Sequence, residues 1–526
     1  MENRKLVLVA MIFAVAMMFI DQTIVALAAP DLQRDLGVTS TGAQWIINGY
    51  LLSLSALFAL GGKLADVLGH RRMVLVGVAG FALFSALCGA TPTGSIGEAW
   101  MILFRVLQGA SAALLFPAAL AIVVSAYPLR ERGRALAIFF AASGGLTAVG
   151  PLAGGYLTEW TWRAIFWINI PVAIVAIVLT LKANPPESKR DTPIDWRGAV
   201  LISAAMGLAV LGLQQAGVWG WDDVRTWACI VVGLLLLAWF VADQLRTRDP
   251  LIDVRIFAQR AFAADNAVMF LISAAFVPLF FFASVYAQAS LGYSASEAGL
   301  FLLVFFGGFA TAAQWGGRIL DAKGARPTVV LGCAVAAVGF WLWGMQLPDL
   351  DFSSQWYWLA LAGAGMGMVL GPVSTDAVSR APNASYGEAT GITQTVRNFG
   401  ASLGLAVLGS LLVTENVRRV EETLTSRGLP AEQADRIAHA MTSTSGGGAS
   451  DALDRTGGAA SEAARSVYNA IQVDIAESTQ LIVYLMAGLM ALAFVVAVAR
   501  LPAGRLEESP VTEPGEPEPE AAAAQG

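Results

Sequence analysis

The sequence predicts an all-α polytopic membrane protein, a bundle of fourteen transmembrane helices laid out as six, two inserted, and six. Three observations predict it. Hydrophobic residues make up 56% of the 526 and charged ones only 14%, apolar runs of bilayer length recur along the chain, and one charged hairpin sequence occurs twice. A soluble chain of this size would form two or three domains and carry far more charge.

The spans begin near Leu6, Gln44, Met73, Trp100, Gly133, Trp162, Gly198, Val224, Phe262, Glu297, Thr328, Trp356, Gly387 and Gln480. Each run is long enough to cross a hydrocarbon core of about 30 Å as a helix rising 1.5 Å per residue. Ala26-Leu27-Ala28-Ala29, after the first run, looks superficially like a signal-peptide cleavage site. The run before it is about a full span and many spans follow, so it reads as a retained first helix.

The hairpin sequence sets the grouping. Gly62-Lys63-Leu64-Ala65-Asp66-Val67-Leu68-Gly69-His70-Arg71-Arg72 joins spans two and three, and Gly317-Arg318-Ile319-Leu320-Asp321-Ala322-Lys323-Gly324-Ala325-Arg326 joins spans ten and eleven. Two related halves therefore flank an inserted pair. The expected divisions are residues 1–183 for the N-terminal six-helix bundle, 184–250 for the inserted helices, 251–502 for the C-terminal bundle and 503–526 for a disordered acidic tail.

In each hairpin Gly62 and Gly317 are expected to let a helix end pack closely, and Gly69 and Gly324 to allow a positive-φ turn. Asp66 and Asp321 are placed to cap the next helix or pair with Arg71, Arg72 and Arg326, which hold the turn at an anionic cytoplasmic surface. Lys and Arg collect in every second loop, which puts both termini in the cytoplasm of a cell that carries the chain in its plasma membrane and requires an even number of spans.

Residues 414–479 read as one long extracellular loop. Pro430-Ala431-Glu432-Gln433 opens a short helix in it, 459–477 hold a second, and a glycine-rich link covers 445–450.

Much of the net charge of −6 lies in the proline-rich tail, so the balance indicates no nucleic-acid partner. Cys88, Cys229 and Cys333 fall in apolar runs and read as packing residues. With only His70 and His439 there is no histidine-rich metal or catalytic constellation, which argues against a membrane enzyme. Gly62-Lys63 is followed by Leu64 where a phosphate-binding loop has Ser or Thr, and no soluble nucleotide domain is evident, which argues against an ATP-driven pump.

Charges within spans are costly in lipid and usually functional. Asp21 in the first span and Arg105 in the fourth reach similar depth, because Asp21 follows Lys5 by about 24 Å of helix and Arg105 lies about 8 Å below the opposite surface. The pair can meet directly or through Gln108. Burial and a nearby guanidinium pull an acid's proton affinity in opposite directions, the chemistry of a proton switch. Asp265, a turn inside the ninth span, is a second acid for the same role. Arg397, near mid-membrane in the thirteenth span, needs protein or water around it. Asn48, Gln108, Gln288, Gln314 and Gln394 join it as candidate substrate-cavity walls, because an amide facing lipid would be unsatisfied.

In the fifth span, Leu146-Thr147-Ala148-Val149-Gly150-Pro151-Leu152-Ala153-Gly154-Gly155 holds a proline that cannot donate to the Thr147 carbonyl. Its glycines suit close helix contact.

Over nearly its whole length the chain resembles the major facilitator superfamily, whose signature between helices two and three matches the first hairpin. Val67 stands where that signature usually has a basic residue. The run at Gly150, Pro151, Gly154 and Gly155 is similar to the superfamily's antiporter signature, with Leu146 in place of its leading glycine. With Asp21, Arg105, fourteen spans and Trp162-Arg163-Ala164-Ile165-Phe166-Trp167, the chain resembles the drug:proton antiporter family of multidrug exporters.

The resemblance implies a proton-coupled antiporter that exports small amphiphilic or cationic drugs or antibiotics by alternating access. It would act as a monomer in the lipid bilayer and use the proton gradient in place of a cofactor. Export of one dedicated metabolite, or proton symport, would use the same architecture. A channel is the remaining alternative, distinguished by the absence of coupling to a pH gradient.

Overall fold

The computed structural model describes residues 2–127, 129–185, 187, 189, 193–380, 386–443 and 459–504. Its helices in chain order are α1 (Glu2–Leu36), α2 (Ser40–Leu68), α3 (His70–Gly89), α4 (Gly97–Ala126), α5 (Leu129–Trp160), α6 (Ala164–Trp167), α7 (Asn169–Ala183), α8 (Trp196–Trp219) and α9 (Val224–Gln244). There follow α10 (Arg260–Ala289), α11 (Ala295–Lys323), α12 (Ala325–Gln346), α13 (Trp356–Ser379), α14 (Tyr386–Ser426), α15 (Ala431–Ser443) and α16 (Ala459–Arg500). Among the described residues thirteen helical segments are long and apolar enough to cross a bilayer, α6 and α7 counting as one. The 32-residue α5 occupies the remaining place in the expected order.

Helix starts are set by polar caps at the turns. Thr39 accepts from the Gly42 amide at 3.0 Å, and Ser294 and Glu297 form a reciprocal capping box at the head of α11. The inserted α8 and α9 pack on each other, and α8 also packs on α2 and α14. The first six spans meet the last six mainly through α2 with α14, α5 with α11 and α1 with α10.

These contacts are uneven along the bundle. At the end opposite the charged hairpins, Ser296 donates to Glu159, Gly155 faces the Ala295 carbonyl and the Ser296 backbone, and Gln288 donates to the Leu27 carbonyl at 3.1 Å. Nearer the middle of the two helices, Gly145 of α5 and Gly307 of α11 are exposed, and an added methyl group at either would meet nothing among the described residues.

The hairpins correct two expectations. Gly69 and Gly324 do adopt φ of 104° and 85°, as a glycine at a helix terminus allows. The glycine that permits close packing, however, is Gly61, where any side chain would collide with the Ala113 carbonyl, while Gly62 is in ordinary contact with Pro117. Likewise Gly316 lies against Met368 and Gly317 touches nothing. One residue is a 100° rotation about the helix axis, enough to move a glycine off the contact line.

Among the described residues Asp66 caps nothing and pairs with no arginine: its carboxylate meets His70 Nε2 at 3.1 Å across the turn. Arg71 donates to Asn184 Oδ1 at 2.5 Å, Arg326 donates to the Val498 carbonyl at 2.7 Å, and Arg72 and Asp321 are exposed.

Residues 414–479, expected to be largely loop, are mostly helix among the described residues. α14 and α16 run for 41 and 42 residues, well past the length of a span. Beyond the span they pack with α15 around Val420, Leu424, Ala434, Ala438 and Ile471. Charge ladders hold this extension in register. Arg418 pairs with Glu415 at 2.6 Å and Glu422 at 2.5 Å, and Arg419 joins Glu415 on its own helix to Glu477 on α16. The glycine-rich link 445–450 and tail residues 505–526 lie outside the described residues.

Candidate functional site

The intramembrane charges on α1 and α4 meet directly. Arg105 Nη1 donates to Asp21 Oδ2 at 2.6 Å and to Gln108 Oε1 at 2.7 Å, while Gln108 Nε2 donates to Asp21 Oδ1 at 3.0 Å. Arg105 Nε donates to the Ile46 carbonyl at 2.9 Å, which ties the pair to α2. The guanidinium lies 4.5 Å from the centre of the Tyr50 ring and 5.9 Å from that of Phe166, an arrangement in which aromatic faces stabilise a desolvated cation.

Asp21 and Arg105 are each 1% exposed and Gln108 is fully buried. Helix geometry explains the cluster, because Arg105 and Gln108 are three residues apart and share one face of α4. A buried ion pair is strongly held only where hydrogen bonds satisfy its remaining donors and acceptors, and here both carboxylate oxygens are engaged. An acid in such a knot changes its charge only if the knot rearranges. That couples protonation of Asp21 to the relative positions of α1, α2 and α4.

The glycine-proline run lies beside this acid. Pro151 leaves the Thr147 carbonyl without its helical donor, and Thr23 Oγ1, two residues beyond Asp21, donates to that carbonyl at 3.0 Å. Gly150 packs on Thr23 and the Ile20 carbonyl, Gly154 on Ile24, and Gly155 on α11. The run thus reports on α1 with one face and on the second set of helices with the other. The missing side chains are what allow both contacts at backbone distance.

The amides expected to line a cavity divide into two groups. Asn48 is fully buried in the seam, where its Nδ2 donates to Gln214 Oε1 of α8 at 2.5 Å and to the Ser402 carbonyl of α14 at 3.2 Å. It joins helices and does not face open space. Gln108 is committed to Asp21 and Arg105, and Gln288 to the Leu27 carbonyl and Ser284.

Gln314, by contrast, is exposed on α11, and Gln394 and Arg397 lie on α14 with no partner for their side chains among the described residues. Asp265 is fully buried, and neither of its carboxylate oxygens has a hydrogen-bond partner among the described residues. Its charged neighbours are Asp376 and Arg380, which pair with each other at 2.7 Å.

Sequence reasoning missed Tyr50, Thr23, Gln214 and Ser402. Gln214 carried a usable signal, an amide well inside an apolar run. The others are residue types common in any membrane helix.

The family model of the Major Facilitator Superfamily matches residues 11–405. The chain is 36% identical over 412 residues to the tetracenomycin C resistance and export protein of Streptomyces glaucescens, covering 77% of this chain and 76% of that one. It is 32% identical over 442 residues to a puromycin resistance protein of Streptomyces alboniger, covering 83% and 86%. In fold it matches an inward-facing, unoccupied bacterial homologue of the human lysosomal transporter Spinster, with a TM-score of 0.59 at 16% identity over 95% of this chain and 98% of that one. The helix order, the paired hairpins and these matches together make the chain a multi-pass membrane transporter that belongs to the major facilitator superfamily.

Proposed function

We propose that this transporter exports small amphiphilic compounds across the cell membrane by exchanging them for protons, with alternating access between residues 1–183 and 251–502. The single observation that carries the proton-coupled part is the sealed knot of Asp21, Arg105 and Gln108, joined through Thr23 to the Thr147 carbonyl of α5. Asp21 is the proton carrier, Arg105 its counter-charge, and Asp265 a second acid. Asp66 and Asp321 tune the gate at the hairpin end, which is the cytoplasmic end, with both chain termini on that side.

The relatives support the exporter reading. Their names also favour a second one, in which the chain exports one dedicated compound, because each is named for a single antibiotic.

The test is transport by the purified chain in proteoliposomes with an imposed pH gradient, screened over dyes and antibiotics. Gradient-driven accumulation is expected of the wild type. Asp21→Asn should keep much of its binding to a neutral substrate and lose accumulation. Accumulation that persists in Asp21→Asn would move the carrier role elsewhere, with Asp265 next in line. Flux that ignores the pH gradient in the wild type would overturn the antiport reading.

A further inference from the structure

The charges within the membrane-spanning helices do not cancel locally. Asp21 is committed to Arg105 and Asp376 to Arg380, and Asp265 sits beside that second pair. Arg397 has no hydrogen bond, ion pair or ring contact among the described residues, and no acid bears on it. Gln394 and Asn398, one turn of helix or less away, are 6% and 4% exposed, and their amides likewise have no protein partner. Three polar side chains rich in donors therefore gather on one stretch of α14, about 16 Å along the helix from Tyr386 at 1.5 Å per residue.

The register of α14 says where they face. Thr395 and Ser402 contact α2. Phe399 and Leu403 line a small apolar crevice with α8 and α9. Gly400 and Gly404 lie on the backbone of α10 at Phe270 and Ala274. At 100° per residue, Gln394 and Asn398 fall between the α10 and α2 sides, with Arg397 at the α10 edge of that sector. Arg397 is the partly exposed member of the three.

We propose that Gln394, Arg397 and Asn398 form a subsite for an anionic oxygen group, such as a carboxylate, on the transported compound. This rests on the exporter reading above. A guanidinium offers a planar fork of donors matched to a carboxylate, and amide donors on either side complete the cradle. A cation held in a membrane interior without a counter-charge is costly, and a substrate that supplies the charge removes that cost. The subsite therefore selects amphiphiles that carry a negative group and disfavours purely cationic ones.

The test uses a matched pair of aromatic probes, anthracene-9-carboxylate and its methyl ester, titrated against the full chain in detergent with tryptophan fluorescence as readout. The wild type should bind the acid at least about tenfold more tightly than the ester, the scale of a hydrogen bond to a charged partner. Arg397→Gln should lose this preference while keeping its affinity for the ester. Arg397→Lys, which keeps the charge and loses the fork, should retain part of it and carries the test if Arg397→Gln does not fold.

Equal affinity for acid and ester in the wild type overturns the subsite, as does an undiminished preference in Arg397→Gln, or binding of neither probe. Exchange of chloride for gluconate separates a free inorganic anion from a substrate group. A chloride effect on melting that depends on Arg397, without any acid preference, would assign the site to the inorganic ion and overturn the proposal. Acid preference in a chain that shows no pH-driven flux would remove the exporter reading and leave the subsite standing.

Discussion

Asp21→Asn should destabilise the protein more than Arg105→Gln, although both remove one side of the same ion pair. The asymmetry follows from what each substitution leaves behind. Asparagine keeps the shape of Asp21 and strands a guanidinium that is 1% exposed and has no means of shedding its proton. Breaking a buried pair in this way costs about 3–5 kcal/mol. Arg105→Gln strands a carboxyl, which can take up a proton and become neutral, so the remaining loss is that of unsatisfied hydrogen bonds, about 1–3 kcal/mol.

With unfolding entropy near 2.1 cal/mol/K per residue, each kcal/mol lowers the melting temperature of a chain this long by about 1 °C. The expected drops are then about 3–5 °C for Asp21→Asn and about 1–3 °C for Arg105→Gln. The double variant leaves no buried charge and should recover at least about 2 kcal/mol relative to the sum. Tryptophan-fluorescence melts of the four chains in one detergent read all three quantities. Equal drops for the single variants, or additivity within about 0.5 kcal/mol, would refute this account of the knot.

Three further outcomes are expected. Gly155→Leu should drive α5 away from the Ala295 carbonyl, cost about 1–3 kcal/mol through overpacking and abolish transport. Normal transport by that variant in proteoliposomes would show that the contact does not seal the end opposite the hairpins. Asn48→Leu leaves buried Gln214 and Ser402 without their partner and should cost about 1–3 kcal/mol, whereas Asn48→Leu with Gln214→Leu should recover part of that loss. A double variant less stable than the single one would contradict the pairing. Cysteine placed at Ser445 should be labelled from outside the cell and at Ser509 from inside, and labelling of Ser445 from the cytoplasm would sink the assigned topology.

The sequence by itself determined the features that depend on solvent preference and helix rise. Apolar length against bilayer thickness placed the spans, since a backbone in hydrocarbon must bond within itself. Equal depth made Asp21 and Arg105 candidates for one site, and repetition of the Gly-Asp-Gly hairpin gave the expected division into halves. Pro151 announced an unsatisfied carbonyl before its donor, Thr23, was known.

What only the tertiary structure decided is rotational phase and neighbourhood. A pattern of apolar residues tells lipid from water but does not say which face of a helix meets which partner. Packing therefore chose Gly61 over Gly62, and it buried Asn48 against an inserted helix where an open cavity wall was expected. It carried α14 and α16 past their spans, because the apolar faces there have α15 to cover them. The same phase leaves Arg397 without a partner among the described residues, since Asp21, Asp265 and Asp376 already have charged neighbours of their own.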